Sequence, residues 1–82
     1  MLHVDVLIPA IARNFEFSLD EHTRISMLIE EIAYIVSQKE QKEWDGRMEE
    51  LILCNLSRQC MLPKERTLYQ CKVRPGSQLV LL

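Results

Sequence analysis

"FEFSLDEHTRISMLIEEIAYIV", residues 15–36, changes its hydrophobic period partway along, and this change decides the predicted fold. Up to Leu19, apolar and polar residues alternate, which is the pattern of a strand with one buried face. After Asp20, apolar residues recur at three- and four-residue steps, as in a helix that buries one side. These residues are Ile25, Leu28, Ile29, Ile32, Ile35 and Val36. Thr23 is the predicted N-cap, because its hydroxyl can accept a hydrogen bond from a free amide of the first turn. Good helix formers after Val36 could extend the helix by a turn or two before Gly46.

The segments on either side of this passage predict further strands. Residues 2–8 alternate in the same way until Pro9, and with residues 15–19 they predict an antiparallel hairpin. "ELILCN", residues 50–55, is typical of a central strand, and "SRQCML", residues 57–62, could pair with it as an irregular hairpin. A Pro-Gly turn precedes a last apolar strand at residues 79–82. The order is β-β-α-β-β-β, an α+β fold with a mixed sheet of four to five strands packed on one helix.

Composition narrows the classes of function. A chain of 82 residues with 48% hydrophobic and 27% charged residues is typical of a single globular domain, spanning residues 1–82. The net charge of −2 argues against nucleic acid or an anionic membrane as the main partner. The N-terminus lacks the basic region of a signal peptide, and no apolar stretch is long enough to cross a bilayer. We therefore expect a cytoplasmic protein without direct membrane insertion.

The three cysteines, Cys54, Cys60 and Cys71, predict neither a metal site nor a cofactor site. They form no CxxC pair, and both histidines lie far from them in sequence. We expect reduced thiols that pack as small hydrophobes. The alternative is one disulfide, between Cys54 and Cys60 across a hairpin. No catalytic site is expected either, because no motif places a nucleophile beside the same-face pair His3 and Asp5.

The predicted sheet has one covered and one uncovered face. Alternation directs seven residues toward the helix: Leu2, Val4, Val6, Leu51, Leu53, Leu79 and Leu81. It directs five apolar residues to the other side: Leu7, Ile52, Cys54, Val80 and Leu82. Neighbouring apolar side chains on an uncovered sheet are typical of a protein-binding surface. Trp44, the only tryptophan, is either packed against the core or a contact at the rim of that interface.

The C-terminal third resembles ubiquitin. "LPKERTLYQCKVRPGSQLVL", residues 62–81, aligns without gaps with ubiquitin from its short fourth strand through its last strand. "ELILCN" resembles the central strand, with Ile52 at the place of the exposed partner-binding isoleucine of ubiquitin. The resemblance implies the ubiquitin-like β-grasp fold. Ubiquitin and the sulfur carriers act through a C-terminal Gly-Gly, whereas this sequence ends at Leu82, so we expect a domain that binds and is not conjugated.

The whole chain is similar to the YukD/EsaB family of bacterial type VII (WXG100/ESX-type) secretion, whose related domains begin the membrane protein EccD. The features that carry the resemblance are "HVDVLI", "FEFSLDEHTRISMLI", a tryptophan between helix and central strand, and the ending "GSQLVLL". It implies an accessory or regulatory role without enzymatic activity. The implied partner is a protein, a membrane component of the secretion machinery, or a second copy of the chain in a homo-oligomer.

Two alternatives stay open at the level of the sequence. The first is a generic ubiquitin-like adaptor from an unrelated pathway. The second is a modifier or sulfur carrier whose Gly-Gly tail has been removed, which a coding sequence continuing past Leu82 would reveal.

Overall fold

A computed structural model describes residues 1–44 and 46–82. The strands are β1 (Leu2–Ile8), β2 (Arg13–Leu19), β3 (Leu53–Asn55), β4 (Cys60–Met61) and β5 (Gln78–Leu81), and the helix is α1 (Ile25–Glu40). Short 3-10 turns lie at Pro9–Ile11 and Met48–Glu50. The predicted order of elements is confirmed.

The sheet places the last strand at its centre. The strand order is β2-β1-β5-β3-β4. β1 pairs antiparallel with β2 and parallel with β5, while β3 pairs antiparallel with both β5 and β4. This mixed five-stranded sheet on one helix is the ubiquitin-like β-grasp fold that the sequence predicts.

The core lies between α1 and one face of the sheet. The buried residues of α1 are Ile25, Leu28, Ile29, Ile32, Ala33 and Val36. All seven strand residues predicted to face the helix are also buried. Because burying one large aliphatic side chain stabilises a fold by roughly 1.5–3 kcal/mol, this two-sided apolar layer is the main stabilising feature of so short a chain.

The start of α1 differs from the prediction. The N-cap residue is Arg24, in extended backbone with φ −60° and ψ 142°, so the assignment of Thr23 was wrong. Backbone carbonyls from a distant loop satisfy the first amides instead. The amide of Ile25 donates to the Arg66 carbonyl (2.8 Å), and that of Ser26 donates to the Lys64 carbonyl (3.1 Å). A side-chain cap is unnecessary because tertiary structure supplies the acceptors.

Other ends of the helix and strands differ from the predicted ones for local reasons. Helix α1 continues one turn past Val36 and ends where Gln41 adopts the left-handed conformation (φ 53°), before Gly46. Strand β2 begins earlier than predicted, because Arg13 pairs with Ile8 directly across the 3-10 turn. In the second hairpin only Cys60–Met61 is extended, since residues 56–59 form its turn.

Candidate functional site

The face of the sheet opposite α1 carries a row of apolar side chains. Leu7 on β1 pairs with Val80 on β5, which pairs with Cys54 on β3, which pairs in turn with Met61 on β4. Paired residues share one face of a sheet, so these four side chains stand side by side. We name the following set the sheet patch: Leu7, Ile52, Cys54, Met61, Val80 and Leu82.

The exposure of the sheet patch is uneven. Val80 points outward as predicted but is only 8% exposed. Its neighbours on both sides, Leu7 and Cys54, are half-buried. The accessible apolar surface therefore comes mainly from the margins, where Met61 is 63% exposed and Leu82 is 58% exposed. The sheet patch thus combines a nearly buried centre with exposed apolar margins, which partner side chains can contact.

Met61 is the member that sequence reasoning missed. Its position opposite Cys54 depends on the register of the β3–β4 hairpin. The signal is present in the sequence, since Met61 lies in the segment predicted to pair with the central strand. However, the face of Met61 could be assigned only once the length of the hairpin turn was known.

Ile52 and Leu82 continue the ladder between β3 and β5 beyond the assigned strand ends. The amide of Ile52 donates to the Leu82 carbonyl (3.0 Å), and the amide of Leu82 donates to the Ile52 carbonyl (2.8 Å). These reciprocal bonds hold both residues in register with the strands. Ile52 is half-buried, so it projects from a fixed backbone and not from a free loop.

The same face is polar on β2 and on the part of β1 that precedes Leu7. The Gln78 side-chain amide donates a hydrogen bond to the Asn14 side-chain oxygen (2.9 Å) across β1. This bond passes between Leu7 of the sheet patch and the carboxylates Asp5 and Glu16. His3 lies farther along and makes a 3.2 Å hydrogen bond between its Nδ1 and the hydroxyl of Ser18. Both side chains are exposed to solvent. The outer face thus has an apolar half and a hydrated half.

Trp44 lies at the end of the molecule where α1 ends. It is half-buried and packs against the core. A groove with a volume of about 910 Å³ runs between this tryptophan, the Pro9–Ile11 turn and Leu82. Of the residues predicted to form the site, Leu82 therefore contributes to both surfaces, while Trp44 contributes only to the groove.

The cysteines are free thiols in three different settings. The register excludes the alternative disulfide, because Cys54 shares the outer face with Met61, while Cys60 pairs with buried Asn55 on the other face. Burial raises the pKa of the Cys71 thiol, and the charge of Arg66 opposes this shift only in part. Within residues 1–44 and 46–82, no group of three or more potential ligands could hold a metal ion. In the same residues, no helix is long and apolar enough to span a bilayer.

Comparison with known proteins identifies the fold. No protein-family model and no curated protein matches the sequence. Among solved structures, the EccD5 ubiquitin-like domain from Mycobacterium xenopi is similar, with a TM-score of 0.78 at 20% identity over 99% of this chain and 91% of that chain. A ubiquitin-like domain of an Arabidopsis thaliana protein has a TM-score of 0.73, at 21% identity over 99% of this chain and 74% of that chain. The N-terminal ubiquitin-like domain of the 4931431F19Rik protein has a TM-score of 0.75, at 18% identity over 99% of this chain and 72% of that chain.

Proposed function

We propose that this chain is a non-conjugated, ubiquitin-like accessory or regulatory protein of a bacterial type VII secretion system. It acts in the cytoplasm by binding a protein, a membrane component of the secretion machinery, through the sheet patch. The observation that carries the proposal is the uncovered sheet face with its contiguous apolar side chains. The similarity of the fold to the EccD5 domain and the sequence resemblance to the YukD/EsaB family support the choice of pathway.

The geometry of the sheet patch favours docking of a protein segment. Leu7, Val80 and Cys54 lie on three adjacent hydrogen-bonded strands, so their positions are fixed before a partner arrives. Little conformational entropy is then lost from this side on binding. Covering the exposed parts of Met61 and Leu82 removes apolar surface from water, which stabilises a complex by about 25 cal/mol for each Å² buried.

Binding, and not catalysis, is the proposed activity because the polar groups of the outer face remain hydrated. The imidazole of His3 is hydrogen-bonded to an exposed Ser18 hydroxyl. Acid–base catalysis benefits from reacting groups held in a site that excludes water. The apolar half of the face offers a contact surface instead of reacting groups.

Affinity capture from the native cell tests the proposal. Wild type should recover membrane components of the secretion system, and Ile52→Asp should reduce that recovery by about tenfold or more, because a carboxylate would be desolvated in the interface. Met61→Asp is the second variant, since this exposed side chain can be changed without disturbing the core. Met27→Asp on the exposed side of α1 is the matched control. Circular dichroism and thermal unfolding establish that each variant is folded.

Each outcome has a distinct meaning. Equal recovery by wild type, Ile52→Asp and Met61→Asp would rule out the sheet patch as the binding surface. Recovery of unrelated proteins by wild type would favour a generic adaptor over a secretion component. Light scattering on the same samples measures self-association, and a dimer that Met61→Asp abolishes would identify a second copy as the occupant of the sheet patch.

A further inference from the structure

Charge is distributed very unevenly along the chain. Residues 1–50 contain five basic and eleven acidic residues, a net charge of −6, whereas residues 51–82 contain five basic residues and one acidic residue, a net charge of +4. A net charge of −2 for the whole chain therefore conceals a basic C-terminal part. The location of these cations determines which partners the domain attracts.

Two of the five cations lie in turns at one end of the sheet, next to the sheet patch. Arg58 is in the β3–β4 turn, where the adjacent Leu56 amide donates to the Gln78 carbonyl (2.9 Å). Arg74 is in the turn that leads into β5, closed by a hydrogen bond from the Ser77 amide to the Arg74 carbonyl (3.1 Å). Both turns therefore meet at the beginning of β5. We name Arg58 and Arg74 the basic end.

The cations of the basic end are exposed and have no counter-ion in the part of the chain that the structure describes. Among residues 1–44 and 46–82, the salt bridges join Arg13 to Glu40 and Arg47 to Glu49 and Glu50. None of them includes a member of the basic end, and both members are exposed to solvent. External carboxylates can therefore bind these cations without displacing an existing partner.

The basic end is continuous with the apolar surface. Leu56, which is 51% exposed, lies between Arg58 and the start of β5. Met61, at the margin of the sheet patch, lies on the strand that follows the turn containing Arg58. The carboxylates Asp5 and Glu16 lie at the same end of this face, because Asp5 pairs with Gln78 on one side and with Glu16 on the other. They are on the β2 side of β5, whereas Arg58 is on the β4 side. A ligand at this end thus meets the positive charge of Arg58 on the β4 side and negative charge on the β2 side.

We infer that the partner contributes a polypeptide segment with apolar anchor residues and a net negative charge. The anchors cover the sheet patch, and the carboxylates of the segment bind the basic end. Repulsion by Asp5 and Glu16 fixes the orientation, because it directs the acidic part of the segment toward the β3–β4 turn. This inference rests on the proposed function, which it deepens by stating the chemistry of the partner. A nucleic acid is disfavoured because none of the sheet-patch side chains is aromatic, so bases would lack a stacking platform.

Selection from a random peptide library displayed on phage tests the inference and does not require the partner to be identified first. Immobilised wild type is the bait, and peptides that also bind Ile52→Asp are removed. The enriched peptides should combine large apolar residues with an excess of Asp and Glu. The double variant Arg58→Glu/Arg74→Glu should bind the selected acidic peptides about tenfold more weakly, since exposed charge pairs each contribute a fraction of a kcal/mol and reversal adds repulsion.

The control is a charge reversal of the same size on another surface. Arg24→Glu/Lys39→Glu changes two exposed cations that precede and end α1, and it should leave peptide affinity unchanged. If the peptides whose binding depends on Ile52 were neutral or basic, the inference would be overturned but the proposed function would not. An absence of any enrichment that depends on Ile52 would overturn both. Binding of a single-stranded oligonucleotide that the Arg58→Glu/Arg74→Glu variant abolishes would also overturn the inference.

Discussion

Asp20 fixes the passage from β2 into α1. Its Oδ1 atom accepts a hydrogen bond from the His22 amide (2.9 Å). This hydrogen bond, with a smaller contribution from the Thr23 side chain, favours the ionised form, so the pKa of Asp20 lies below its ordinary value of 3.8.

The lowered pKa of Asp20 predicts a dependence of stability on acid. A carboxylate with a lower pKa in the folded state stabilises the fold fully above its unfolded value, and this contribution is lost as pH falls through the folded pKa. The free energy of unfolding of wild type should thus exceed that of Asp20→Asn at neutral pH, and the difference should shrink below about pH 4. Urea unfolding at a series of pH values measures it. Glu30→Gln is the matched control, because it also removes one exposed carboxylate. If the difference in unfolding free energy between wild type and Asp20→Asn stayed constant down to about pH 2, the lowered pKa of Asp20 would be contradicted.

At the scale of the element, α1 separates residues that stabilise the core from residues that face solvent. Leu28 is fully buried against the sheet, whereas its neighbour Met27 is 58% exposed. Leu28→Ala should reduce the free energy of unfolding by about 2–5 kcal/mol, because it removes buried apolar volume and leaves a cavity. Met27→Ala should change it by no more than about 0.5 kcal/mol. Denaturant titration of both variants measures the difference, and similar midpoints would show that the helix is packed by another face.

The same helix shows which features a single sequence can predict. The apolar stripe from Ile25 to Val36 depends only on periodicity, and so does the division of β1 into inner and outer side chains; both were predicted. The N-cap depends on carbonyls contributed by Lys64 and Arg66, which lie about forty residues away in the chain. No local pattern reports such a contact. For this reason the fold was predicted almost completely, while the helix start was not.

The candidate site was predicted less completely than the fold, because exposure depends on neighbours. Alternation assigns Val80 to the outer face, but only the pairing with Leu7 and Cys54 shows that it is nearly covered there. The sequence left two positions open for Trp44, in the core or at the rim of the interface. The half-buried position that it takes beside the groove depends on where the chain turns after α1. The hydrophobic period of a strand predicts the face to which a side chain points, whereas its solvent exposure depends on the packing of its neighbours.

At the scale of the whole molecule, β5 joins two otherwise separate parts of the sheet. The β1–β2 hairpin and the β3–β4 hairpin each pair internally, and β5 alone forms ladders with both. The amides of β1 and β5 should therefore exchange with solvent only through global unfolding, whereas those of β4, a two-residue edge strand, should exchange through local opening.

Native-state hydrogen exchange observed by NMR tests this hierarchy. The opening free energy of the slowest amides in β1 and β5 should equal the free energy of unfolding from denaturant titration, and the values for Cys60 and Met61 should be much smaller. Leu28→Ala is the control, because it should lower the opening free energy of the slowest amides by its full effect on stability. If the β3–β4 hairpin exchanged as slowly as β1, the sheet would be a single cooperative unit without a weak edge.

The central place of β5 also has a consequence for synthesis in the cell. A chain grows from its N-terminus, so both hairpins and α1 emerge from the ribosome before Gln78 does. Until then the two hairpins are not joined into one sheet, so the apolar side of the helix is only partly covered. The nascent chain therefore exposes apolar surface that chaperones can bind and that the complete domain buries. The domain thus completes its fold in one late step, when its most distant partners in sequence, β1 and β5, meet.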